Sequence, residues 1–357
     1  MNLPPLKIGE LTAHIPIIQG GMGVGISLSS LASAVANEGG IGVISAAQIG
    51  FKENNFESNT DNANITALKK EIRKARNLSP KGILGVNIMV ASNNFENLVL
   101  TAVQEKIDLI ICGAGLPTTL PKFIKNSKTK IAPIVSSGKA ASVISRLWKK
   151  KFDYLPDLIV VEGPKAGGHL GFSPDELNSS SSKDLKSIIK DVLNVIRPLE
   201  NLYKKHIPVI AAGGIFDGKD IAEFIKLGAN GVQMATRFVA TEECDAHINF
   251  KNAYINSSKE DVIITKSPVG MPGRAINNKF LKTLHSSATS IKKCYHCLKP
   301  CDPSKTPYCI SRALINAVNG NIDNGLIFAG SNVYKLNKIT TVKKLMANLV
   351  KEAKENL

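Results

Sequence analysis

The sequence predicts an α/β fold, a TIM (β/α)8 barrel with a C-terminal cysteine-containing extension. Three observations predict it. Eight short apolar runs recur between residues 15 and 235, and the segments between them have helical character. The runs are mostly continuous rather than alternating, as strands buried on both faces of a parallel sheet are. Eight strand–helix units within about 240 residues fit a closed barrel better than an open, doubly wound sheet.

The expected strands are residues 15–20, 42–46, 84–90, 109–113, 131–136, 158–162, 208–212 and 231–235. Residues 29–38 read as a helix with a serine-rich N-cap region, stopped by Gly39-Gly40, a suitable C-cap. A polar loop, 51–63, follows the second strand, and a linker rich in Ser, Asn and Pro, 173–182, follows the sixth. Both belong on the carboxyl face of a barrel, where such folds carry their sites. The longest helix, 183–205, places Leu185, Ile188, Ile189, Val192, Leu193 and Ile196 on one stripe. Pro198 is expected to kink or interrupt it, because proline lacks the N–H a helix interior uses. The helix from 216 to 228 opens with Asp217 as N-cap and stops at Gly228. From His247 the rhythm breaks. Residues 1–246 therefore read as the barrel and 247–357 as an extension packed on it. That extension has one strand-like run (262–265) and late helices near 310–318 and 341–350.

The chain has 357 residues, 43% of them hydrophobic, but no apolar run approaches the roughly 18 residues a membrane span needs. The first residues lack the charged-then-apolar layout of a signal peptide. A cytoplasmic protein with no membrane association is expected. The net charge is +16, yet the basic clusters are scattered: Lys149-Lys150-Lys151, Lys204-Lys205, Lys292-Lys293 and Lys343-Lys344. Nucleic-acid binding calls for a concentrated basic stripe, interleaved aromatics or a known module. Aromatics are only 5%, so no nucleic-acid partner is expected. A lysine-rich solvated surface accounts for the charge, and its positive field would attract an anionic small molecule or an acidic partner protein.

Candidate chemistry sits at the ends of the strands. Leu158 to Val161 run into Glu162-Gly163-Pro164-Lys165-Ala166-Gly167-Gly168-His169-Leu170-Gly171. Glycines let a backbone approach a ligand closely, and a histidine among them is suited to proton transfer. The plainer role for His169 is to cap a turn. The first strand leads into Gly21-Met22-Gly23-Val24-Gly25, whose spacing is not a dinucleotide fingerprint. The loop could still pass close to a flat aromatic ligand, with the Met22 thioether against its ring. Gly213-Gly214 ends the seventh strand, and Ala235-Thr236 ends the eighth after Gln233. Barrels often hold phosphate on those two loops, so a phosphate-bearing cofactor is expected. Asn87 is a polar residue within the apolar third strand; it either ties strands together or presents its amide to a cofactor.

Taken together, Pro16-Ile17-Ile18-Gln19-Gly20-Gly21-Met22, Gly85-Val86-Asn87, Glu162-Gly163-x-x-Ala166-Gly167-Gly168-His169-x-Gly171, Pro208-Val209-Ile210-Ala211-Ala212-Gly213-Gly214-Ile215 and Val232-Gln233-Met234-Ala235-Thr236-Arg237-Phe238 resemble the nitronate monooxygenase family. Flavin-dependent enoyl-acyl-carrier-protein reductases share the pattern. The resemblance spans residues 15–240 and does not choose between the two. It implies FMN in a (β/α)8 barrel. Gly21 and Met22 would line the isoalloxazine, Asn87 and Gln233 contact the ring or ribityl chain, and Gly167 and Gly168 lie beside it. Gly213, Gly214, Ala235 and Thr236 would hold the phosphate, and His169 would be the catalytic histidine. The implied substrate is a small alkyl nitronate oxidised with O2, or, in the alternative, an enoyl group on an acidic acyl carrier protein reduced with NAD(P)H. A further alternative is a non-catalytic flavin or metal protein that transfers electrons or binds a partner.

Six cysteines occur, and Cys294, Cys297, Cys301 and Cys309 fall within sixteen positions. Without a secretory signal, metal or redox chemistry is the alternative to ordinary thiols. Their spacing suits four thiolates around an iron–sulfur cluster or a zinc ion, with His296 as a substitute ligand.

Overall fold

Side chains of a strand point alternately to its two faces, and in this chain both faces are buried. The computed structural model describes residues 3–178, 183–284, 291 and 293–357. Residues 179–182 of the polar linker and Lys292 lie outside the described residues. The strands are β1 (Leu6–Ile8), β2 (Leu11–Ala13), β3 (Ile17–Gln19), β4 (Ile41–Ser45), β5 (Ile83–Met89), β6 (Leu109–Gly113), β7 (Lys130–Val135), β8 (Ile159–Glu162), β9 (Gly168–His169), β10 (Val209–Ala212), β11 (Gly231–Met234), β12 (Val262–Lys266) and β13 (Pro272–Ile276). Strands β3 to β8, then β10 and β11, pair in parallel, and β11 returns to β3 to close an eight-stranded barrel. These are the eight strands expected from sequence, with ends displaced by one or two residues.

Alternation divides the apolar residues into two cores. Ile18, Val43, Ile111, Ala132, Val160 and Ile210 point inward and fill the barrel. Ile17, Ile44, Val86, Ile110, Val161 and Val232 point outward against the helices. The antiparallel hairpin β1–β2 packs Leu6, Ile8 and Ala13 onto the inner core. Sequence reading missed it because three-residue strands are too short for a periodic signal. Between β3 and β4 only Ile18 and Ile41 are in register. Buried Gln19 extends that seam: its amide accepts from Val43 N at 3.0 Å and donates to Val43 O at 3.2 Å.

Three local expectations need correction. Helix Leu185–Tyr203 runs unbroken through Pro198. Proline removes one intrahelical bond, but the whole apolar stripe, Leu185 to Ile196, is buried, and that packing outweighs the loss. Helix Ser29–Asn37 has Leu28, not a serine, at its N-cap. Its free N–H groups are instead capped from a distance: the Asp245 carboxylate accepts from Leu28 N at 2.8 Å and Leu31 N at 3.3 Å. The polar loop at 51–63 is also shorter than expected, since helix Thr60–Leu78 starts inside it on Asn59 as N-cap.

The segment after the barrel packs against its outer helices. Its last helix, Val342–Glu355, buries Val342, Leu345, Met346, Leu349 and Ala353 and lies against helices Gly218–Leu227 and Ser29–Asn37. It completes the outer ring where the chain after β11 supplies only the short helix Thr236–Val239. Gly218 permits the close crossing, since a Cβ there would lie 2.3 Å from Ala353 N. Asp245 fixes the helix that carries the first glycine loop. Replacing Asp245 with Ala is expected to cost about 1 to 2 kcal/mol, the value of a lost cap, as read by urea denaturation.

Candidate active site

Inward-facing residues at the carboxyl end of the barrel floor one cavity of about 290 Å³: going round the barrel these are Gly20, Ser45, Asn87, Gly113, Ile134, Glu162, Ala212 and Gln233, with Met89 standing one inward position above Asn87. The loops above add Gly21 and Met22 after β3, Gly167, Gly168 and His169 after β8, Gly213 and Gly214 after β10, and Ala235 and Thr236 after β11. Every barrel residue expected at the site therefore faces this cavity.

The glycines are there for space. A Cβ on Gly21 would lie 2.3 Å from the Asn87 Cβ. Asn87 donates from Nδ2 to Ile111 O at 3.2 Å, so it does tie β5 to β6, and it does so facing the cavity. Gly213 and Gly214 hold φ of +96° and +88°, a backbone that side-chain-bearing residues rarely adopt. The loops after β10 and β11 are fastened together by Arg237, which donates to Phe216 O at 2.9 Å and lies over the Phe216 ring. Met22 anchors its own loop, its N–H donating to Ser27 Oγ at 2.8 Å.

His169 owes its position to the extension. Strand β9 pairs with β13, setting Gly273 opposite His169 and Arg274 opposite Gly168. The His169 Nε2 lies 2.7 Å from Ser267 Oγ, and its ring meets Phe328 edge-on with centroids 5.0 Å apart. Arg274 Nη1 donates to Pro164 O at 2.7 Å and also to Ala166 O, bracing the loop before His169. Burial pulls the imidazole down to about 4, so it is neutral at physiological pH. The same physics pushes the carboxyl of Glu162 up to about 7. Sequence reading missed Ser267, Phe328 and Arg274 as site residues because each lies about a hundred or more positions from His169. Glu162 was legible, standing two positions beyond inward Val160.

The lining of this cavity suits a ring with hydrogen-bonding edges such as a flavin's. Among the described residues, Gln233 Oε1 is buried without a partner, and so are Ser331 Oγ and Asn94 Nδ2 at the same cavity. Unsatisfied buried groups of this kind mark a place where a ligand completes the hydrogen bonding.

The cysteines are arranged differently. All six are free. Cys297 and His296 line the cavity; Cys294, Cys301 and Cys309 do not. Burial raises the Cys297 thiol to about 11. Their segment is clamped by Glu57, which meets Lys293 at 2.7 Å, Tyr295 at 2.9 Å and Arg312 at 3.1 Å. Among the described residues, no three His, Cys, Asp or Glu side chains come together as metal ligands, although the four thiols lie near enough to interact electrostatically with one another.

The sequence profile described as nitronate monooxygenase matches residues 5–352. The chain belongs to the nitronate monooxygenase family. It is thus an FMN-dependent oxidoreductase, and the non-catalytic alternative is set aside. A probable nitronate monooxygenase of Staphylococcus aureus (strain Newman) is 29% identical over 298 residues, which cover 77% of this chain and 78% of the relative. FabK from Thermotoga maritima has a TM-score of 0.72 at 27% identity, over 96% of this chain and 93% of that one. Nitroalkane oxidase from Streptomyces ansochromogenes gives 0.74 at 20% identity, over 96% of each chain, a likeness of fold. No helix among the described residues is long and apolar enough to cross a membrane.

Gly21→Ala is expected to weaken FMN binding at least tenfold by setting its methyl against Asn87. Quenching of flavin fluorescence on titration into the apoprotein measures it, with circular dichroism to confirm the fold.

Proposed function

We propose that this member of the family is a nitronate monooxygenase acting on small anionic alkyl nitronates. The observation that carries the reading is a neutral, cavity-facing His169 beside an unsatisfied, glycine-lined cradle. Gly21 and Met22 would border the FMN ring, with Gly167 and Gly168 beside it. Asn87 and Gln233 would meet its polar edge or ribityl chain. Gly213, Gly214, Ala235 and Thr236 would hold its phosphate. Bound there, FMN supplies the electron acceptor and the route to O2.

His169 acts on the substrate. With a nitroalkane, its neutral imidazole removes the α-proton; with a nitronate already ionised, it positions the anion by hydrogen bonding. Ser267 keeps the ring oriented through the Nε2 contact, and Phe328 shields it from water. The net charge of +16 draws an anionic substrate toward the enzyme. Cys294, Cys297, Cys301 and Cys309 stay proposed as ligands of an iron–sulfur cluster or zinc, to be decided by metal analysis of the purified protein; no step of the reaction uses them.

A second reading, NAD(P)H-dependent reduction of an enoyl group on an acyl carrier protein, is favoured by that same positive charge and is compatible with the likeness to FabK. An anaerobic absorbance titration separates the two. Flavin bleaching by propionate 3-nitronate but not NADH supports the monooxygenase; bleaching by NADH alone, followed by reoxidation with a crotonyl-type thioester, overturns it.

Two outcomes are expected of the histidine. His169→Ala lowers turnover at least a hundredfold at unchanged FMN content, the scale of a lost acid–base group, as measured by oxygen consumption. With a nitroalkane substrate, the rate holds from neutrality down to about pH 5 and falls as pH passes about 4, because the base must be unprotonated. The stability effect has the same sign. The unfolded histidine takes its proton first, near pH 6.5, so stability is full above that value and declines as pH falls toward 4. Ser267→Ala is expected to cut turnover about tenfold, the value of one hydrogen bond of about 1.4 kcal/mol, with FMN retained.

A further inference from the structure

Glu162 is the one group in the cavity floor whose chemistry the reaction above leaves unused. It is the last residue of β8, paired in register with Ala212 of β10, and it points into the cavity. Among the eight floor residues it alone is ionisable. No hydrogen-bond partner holds its carboxylate among the described residues. The flanking strands bring no charge to that level: β10 is wholly apolar, and Lys130 of β7 is at the far end of its strand, paired with Glu10. On its own loop stand Lys165 and His169, helix Thr60–Leu78 brings Asp61 to the cavity wall, and the extension sets Tyr254, Tyr295, His296 and Cys297 around the same cavity. Burial is the whole cause of its shift, to about 7. A lone carboxyl in the cavity floor, beneath the place proposed for a redox cofactor, must respond to any charge placed above it.

We propose that Glu162 is a proton acceptor coupled to the flavin: it binds a proton from solvent when the cofactor gains two electrons and releases it on reoxidation. This rests on the FMN reading. The balance is simple. Reduction delivers two electrons and one proton to the flavin, leaving one negative charge; the Glu162 carboxylate takes up a second proton, which neutralises its own charge beside that new one. Reoxidation removes the flavin's charge, and the proton leaves. No bond other than O–H forms or breaks at Glu162.

The test uses FMN-loaded enzyme reduced with dithionite under anaerobic conditions. One proton per two electrons moves the midpoint potential by about 30 mV for each tenfold change in proton activity, and two protons by about 60 mV. Between pH 7 and 8.5 the wild type is expected to follow the steeper line and Glu162→Gln the shallower one. The reduced-minus-oxidised infrared spectrum should gain a carboxylic-acid carbonyl band in the wild type, keep it shifted in Glu162→Asp, and lose it in Glu162→Gln. A steep slope unchanged in Glu162→Gln places the second proton elsewhere and overturns the proposal. So does a wild-type spectrum without the acid band, which needs no variant to fold. Failure of the apoprotein to bind FMN would instead remove the underlying functional reading, and is scored separately by the flavin titration.

Discussion

The antiparallel seam between Gly168–His169 and Gly273–Arg274 is the contact on which the chemistry of this structure depends. A closed parallel barrel can place a histidine at its mouth, but a glycine-rich loop cannot by itself hold one ring in one orientation. Backbone pairing to the extension fixes the loop, Ser267 fixes the ring nitrogen, and Phe328 takes up the ring face's surroundings. Fixing all three at once is what turns a loop histidine into an oriented acid–base group.

Barrel closure supplies the second constraint. Inner packing of Ile18, Val43, Ile111, Val160 and Ile210 leaves no room for a ligand below the last layer, so the cavity begins where those residues end. The floor is thus a ring of single residues, one per strand, most of them small, apolar or amide-bearing. In such surroundings a charge is poorly solvated. That is why His169 and Glu162 move in opposite directions from their ordinary values, each toward its neutral form.

The extension is both wall and brace. It contributes Phe328, Ala329, Gly330 and Ser331 to the cavity, and its final helix closes the outer ring. The fit is close: a Cβ on Gly167 would lie 2.5 Å from the Ala329 carbonyl carbon, and one on Gly330 would lie 2.7 Å from Thr236 Oγ1. Barrel and extension therefore share one binding site.

The sequence by itself determined the barrel and the barrel half of the site. Continuous apolar runs specify strands buried on both faces, and the polar residues set toward the carboxyl ends of those runs, Asn87, Glu162 and Gln233, stand out as candidates for the mouth. Glycine loops at the same ends could be assigned for the same reason. Tertiary structure alone decided what the extension does. Ser267 is 98 residues from His169, and Asp245 is 217 from Leu28, so no local period or cap signature links them. It also decided that Pro198 sits within a continuous helix, since packing of a whole apolar stripe outweighs one missing hydrogen bond. The four cysteines show the limit most plainly. Spacing says which thiols a chain could bring together, but their positions follow from how Glu57, Tyr295 and Arg312 clamp the segment, and that is a property of the folded molecule.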